Sequence, residues 1–168
     1  MNNINYFIHL FILCIIQIFI LDHIHLGSYF YINIYILAIY ILPYKFKGIP
    51  LLLFGFFLGL LMDLADKTVG IHAAASTFTA YIRPWLLQLT SNREKLDDIH
   101  GAQRLTEFNW FLKYSGLSTL LFNVVLIFAE AFTFSDLFIT LIRIIFSTFI
   151  SWLLILLYYF IGLKKINR

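Results

Sequence analysis

The chain has 168 residues, of which 61% are hydrophobic, 19% aromatic and only 12% charged. Soluble domains carry roughly 45–50% apolar and about 25% charged residues, so a soluble enzyme, a disordered chain and a secreted disulfide scaffold are excluded. A net charge of +3, dispersed along the chain, is too small for a nucleic-acid binder, and the lone Cys14 cannot form an internal disulfide. What remains is an integral membrane protein.

A spanning helix needs about 20 mostly apolar residues, with about 17 as a lower limit. In chain order the sequence predicts an all-α, single-domain bundle of six spans, at about 4–21, 26–42, 49–63, 70–89, 110–132 and 137–163. The first lacks a basic leader and a small-residue cleavage site, so it reads as a retained span, closed by Asp22, His23 and His25. The second stops at Pro43, and the third opens near Pro50 and ends at Asp63. After the fourth comes the only long polar stretch, 90–107, read as a solvated loop or a short interfacial helix. Lys45 and Lys47, then Arg93, Lys95, Arg104 and Lys113, then Lys164, Lys165 and Arg168 fall in alternate gaps. The intervening gaps hold Lys67 alone. The positive-inside rule therefore predicts both termini in the cytoplasm.

The most informative stretch runs from Gly55 to His72. Gly55, Gly59 and Asp63 are four residues apart and share one helical stripe. The glycines leave a groove for a close neighbouring helix, expected to be the next span with Ala73, Thr77 and Ala80 or Tyr81. By themselves the glycines read as ordinary helix packing. Asp63 and Asp66 fall at the outer end of the third span. Within the apolar layer an ionisable group is costly and points to function; at the interface both carboxylates simply reach water. Gly70 permits the turn into the fourth span, which His72 opens. Histidine and carboxylate suit a divalent metal, but no HExxH or Glu-x-x-His spacing is present, and neither a metal nor another cofactor is expected.

Three further features stand inside apolar runs. Pro84 frees the Ala80 carbonyl and should loosen the helix. Next to it, Arg83 is expected to snorkel to lipid phosphates or meet a partner, with Trp85 in the headgroup belt. Glu130 and Arg143 flank the turn between the last two spans, at depths differing by roughly 7–8 Å. They are expected to form an intramembrane ion pair, the alternative being separate contacts with a partner or water. No Gly-x-Ser-x-Gly nucleophile or phosphate-binding loop is present, so no enzymatic activity is expected and an intramembrane hydrolase is the weakest reading.

The blocks GFFLGLLMD, VGIHAAA and AYIRPWLLQL, within residues 55–89, resemble the rod shape-determining protein MreD family. Span number, length and the basic end of the chain extend that resemblance hydropathically over the whole sequence. The positions matching the family motif are Gly55, Gly59, Asp63, Gly70, Ala73, Arg83 and Pro84. The resemblance implies a non-enzymatic scaffold subunit of the cell-elongation machinery in the cytoplasmic membrane. Its implied partner is MreC and, through it, MreB filaments, the RodA glycosyltransferase and a class B penicillin-binding protein. The family is also similar in fold to the substrate-binding subunits of energy-coupling vitamin transporters. That similarity implies the alternative, a small-molecule binding subunit with a pocket near Asp22, Asp63 and His72.

Overall fold

Runs of Leu, Ile and Phe interrupted by few charges favour helices that bury one stripe and leave the other apolar face outward. The computed structural model describes residues 3–21, 31–43, 46–90, 108–131 and 137–163, and among these there is helix but no strand. Helix α1 (Asn3–Ile16) continues as a π-helical turn, Gln17–Leu21, and α2 (Leu37–Tyr40) is a single turn. Then come α3 (Ile49–Asp66), α4 (Ile71–Thr90), α5 (Phe108–Ala131) and α6 (Leu137–Tyr158), the last prolonged by a π-helical turn, Tyr159–Leu163. α3 packs on α4, α4 on α5 and α5 on α6, while α1 and α4 both touch α2.

Among the described residues three helices are long and apolar enough to cross a membrane: Ile49–Asp66, Phe108–Ala131 and Leu137–Ile161. The distribution of polarity on these helices is compatible with a bilayer protein. On α6 the inward stripe includes Ser147 and Ser151, both fully buried, whereas Phe138 and Ile145 on the outside are 77% and 64% exposed. Helices in lipid have no hydrophobic reason to associate, so small and hydroxyl side chains gather between them and large apolar ones face outward. α4 is the polar helix of the bundle. It buries His72, Ser76, Thr79 and Arg83 along one stripe, at spacings of three and four residues.

Local sequence sets the α3–α4 hairpin. Gly48 precedes α3 at φ 71°, and Pro50 sits in its first turn, where a missing N–H costs nothing. α3 ends at Lys67, in the left-handed conformation at φ 57°, and Thr68 N–H returns to the Asp63 carbonyl at 3.0 Å. Gly70, at φ 79°, completes the short turn into α4.

The expected continuous helix over 26–42 is not what the described part of that stretch forms. Residues 31–34 are irregular, and only Leu37–Tyr40 is helical. Yet every residue from 33 to 41 is buried. Non-helical backbone at such depth requires other hydrogen-bond partners, and side chains supply them on two edges. On one edge, the Gln17 amide donates to the Ile32 carbonyl at 2.8 Å and accepts from Ile34 N–H at 3.0 Å. On the other, Ser147 Oγ accepts from Tyr31 N–H at 3.1 Å and Ser151 Oγ from Asn33 N–H at 2.9 Å. Odd and even residues thus face opposite edges, as along a strand, with side chains standing in for neighbouring strands. Tyr35, Leu37 and Ile39, all fully buried, then fill the centre of the bundle.

Candidate functional site

The two glycines and Asp63 are one device. A Cβ on Gly55 would stand 2.9 Å from the Ala80 Cβ, and one on Gly59 would stand 2.6 Å from the Ala73 Cα. α4 therefore lies directly against the backbone of α3. This close approach brings its first turn onto Asp63, one helical turn beyond Gly59. Asp63 Oδ1 accepts from His72 N–H at 3.0 Å and Oδ2 from Ala73 N–H at 2.8 Å. The Thr68 hydroxyl donates to the same carboxylate. Asp63 is only 3% exposed, and its carboxyl group stands at the positive end of the α4 dipole. A carboxylate with three donors is tolerated where an unpaired one would not be.

The partner stripe on α4 keeps Ala73 and Ala80 of the expected one, but His72 and Ser76 take the place of Thr77. His72, Ala73, Ser76 and Ala80 meet the glycines, whereas Thr77 turns its hydroxyl back to the Ala73 carbonyl at 2.7 Å. Tyr81 is 63% exposed, away from the contact. A choice between adjacent small residues depends on helix rotation, and the Asp63 cap fixes that rotation.

Beside the cap runs a chain of hydrogen bonds, buried at Tyr35, His72 and Ser76 and open at Asp66. His72 Nε2 lies 3.2 Å from Asp66 Oδ2, and His72 Nδ1 lies 3.0 Å from the Tyr35 hydroxyl. That hydroxyl is in turn 3.2 Å from Ser76 Oγ. One consistent arrangement has Ser76 donating to Tyr35, Tyr35 to His72 and His72 to Asp66. The chain ties the central irregular segment to the α3–α4 hairpin. Among the described residues no group of three His, Cys, Asp or Glu side chains gathers as for a metal. Asp22, His23 and His25 lie outside the described residues.

Glu130 and Arg143 are brought together. Arg143 Nη2 donates to Glu130 Oε2 at 2.7 Å. Tyr31 joins them: its hydroxyl donates to Glu130 Oε1, and the Arg143 guanidinium stands 5.8 Å from its ring centroid. The pair therefore holds the α5–α6 hairpin and also the start of the irregular segment.

Arg83 departs from its expected role. It is 2% exposed and does not snorkel outward. Nη1 donates to the Phe46 carbonyl at 3.3 Å and Nη2 to that of Leu42. It thereby fastens the linker between α2 and α3 onto α4. Pro84 does not end α4, which continues to Thr90, and Trp85 faces outward at 68% exposure.

Sequence reasoning missed Gln17, Tyr35, Ser76, Ser147 and Ser151. The four-residue spacing of Ser147 and Ser151 on an otherwise apolar helix is a signal of an inward stripe. No family model, curated protein or solved structure matches the chain. Fold and residue contacts alone define it: among the described residues, a helical protein without strands and with three helices long and apolar enough to span a membrane.

Proposed function

We propose that the chain is a non-enzymatic scaffold subunit of the bacterial cell-elongation complex in the cytoplasmic membrane. In this reading it crosses the bilayer six times with both termini inside. It holds MreC in register with MreB, RodA and a class B penicillin-binding protein. The observation that carries the reading is the use made of the motif between Gly55 and Arg83. Its glycines, its carboxylates and its arginine are spent on joining α3, α4 and the preceding linker. Such a hairpin is a rigid presenting surface. Its outer side carries Leu53, Phe57, Leu64 and Trp85, which suit lipid or an apolar partner helix.

One observation favours the vitamin-transporter alternative. Transporters place substrate at discontinuous segments near the membrane midplane, and residues 31–36 are a non-helical stretch whose Asn33 meets Asn123. Depletion in the native host separates the two. The scaffold reading predicts conversion of rods to spheres; unchanged shape with a new vitamin requirement contradicts it.

A further inference from the structure

Lys67 closes α3 at φ 57°, and among the described residues no other non-glycine residue has a positive φ. A side chain in this conformation costs free energy that glycine avoids, which is why glycine is the usual residue at such a helix end. A cation is favourable near a helix C-terminus, but it is so throughout the last turn. The dipole therefore does not require it at the one left-handed position. The two neighbouring carboxylates have partners within the bundle, Asp63 in the first amides of α4 and Asp66 in His72. Lys67 is exposed, so its ammonium is the charge this turn carries outward. The side chains beside it that leave the bundle are apolar: Val69 is 97% exposed and Leu64 76%. The candidate span Ile49–Asp66, 18 residues long, stops directly before Lys67. At 1.5 Å per residue such a helix measures about 27 Å, close to the roughly 30 Å of a bilayer's hydrocarbon layer. The turn that follows therefore falls at the headgroup boundary.

We propose that the α3–α4 turn is a lipid anchor: the Lys67 ammonium meets the phosphate of a phospholipid headgroup while Leu64 and Val69 lie against the adjoining acyl carbons. A lysine stem runs along apolar surface and carries its charge to the boundary, where a compact ammonium suits a phosphate oxygen. An apolar side chain as exposed as Val69 is at home in such a layer and not in water. The left-handed backbone is retained at a cost because the side chain it carries acts outside the bundle. This anchor rests on the membrane reading of the chain and is independent of the scaffold role.

The test uses the full chain and two variants at one exposed position, Lys67→Gln and Lys67→Gly. Flotation with vesicles of phosphatidylcholine and phosphatidylglycerol checks the membrane reading by itself. In the same bilayers, in phosphate-free buffer, solid-state NMR with isotope-labelled lysine ammonium nitrogen reads which ammonium groups are dephased by lipid phosphorus. Lys67→Gln should remove one dephased signal and leave the others unchanged. In a neutral maltoside, where no phosphate is present, thermal unfolding compares the two variants. Both lack the charge and only Lys67→Gly relieves the left-handed backbone, so its Tm should be roughly 2–4 °C above that of Lys67→Gln. An identical set of dephased signals in wild type and Lys67→Gln, in vesicles that float the chain, would overturn the proposal. A Lys67→Gly variant no more stable than Lys67→Gln would also overturn it, since the position would then carry no backbone cost to explain. Failure to float would overturn the membrane reading and the anchor with it.

Discussion

Asp63 and Asp66 are three residues apart at the end of α3, but their environments give them different weight. Asp63 closes three donors, and Asp66 makes one contact, to a histidine, from a partly open position. Asp63→Ala should therefore lower stability by roughly 2–3 kcal/mol. Asp66→Asn, which still accepts from His72, should cost about 1 kcal/mol or less. Equilibrium unfolding in mixed micelles measures both, and equal losses would contradict the capping role. The glycines can be ranked in the same way. A methyl at Gly59 meets the α4 backbone, one at Gly55 meets the Ser76 carbonyl and the Ala80 methyl, and one at Gly116 meets only the Trp152 ring at 3.3 Å. Gly59→Ala should lower Tm most and Gly116→Ala least. The reverse order would mean that the hairpin is not packed through its glycines.

Among the elements, the irregular segment over 31–36 is the least expected and the most dependent on others. Gln17→Leu would leave the Ile32 carbonyl and the Ile34 N–H unpaired in the core, at roughly 1–3 kcal/mol each. Ser147→Ala removes a single acceptor, for Tyr31 N–H. Thermal melting should therefore show the larger loss for Gln17→Leu; equal effects would mean that the two edges are not held as described. Exchanging Glu130 and Arg143 tests the α5–α6 hairpin. The double variant should be more stable than either single change but below wild type, because the Tyr31 hydroxyl needs a carboxylate at position 130. A double exchange no better than the singles would show that the ion pair does not hold the hairpin.

These elements also show what a sequence can and cannot convey. The α3–α4 hairpin is legible because the glycines and Asp63 recur every four residues and Gly70 marks the turn. Its exact partner stripe is not, since Ser76 and Thr77 are equally small and only the Asp63 cap selects between them. Over 31–36 hydropathy reads the same for a helix and for a buried non-helical chain. The strict alternation Tyr31, Ile32, Asn33, Ile34, Tyr35, Ile36 is the signal for the latter, since β-branched and aromatic residues at a period of two favour extended backbone. Arg83 reads as an interfacial anchor because long cations near helix ends usually reach outward. Its burial follows from α4 lying inside the bundle, which packing alone reveals.

At the scale of the whole molecule, the described helices turn a stripe of small and polar residues inward and the large apolar residues of α3 and α6 outward. Such an outer face suits lipid, and in the proposed role the α3–α4 hairpin is the surface offered to a partner. The proposed role as a scaffold for a single-span, coiled-coil partner is tested most directly by purifying the tagged full chain from membranes of its native host, without cross-linking, and identifying the proteins retained with it. Retention of an MreC-type protein, lost when Gly59→Leu pushes α4 away from α3, is the predicted result. Retention instead of a paired ATPase module, with no MreC-type protein, would contradict it.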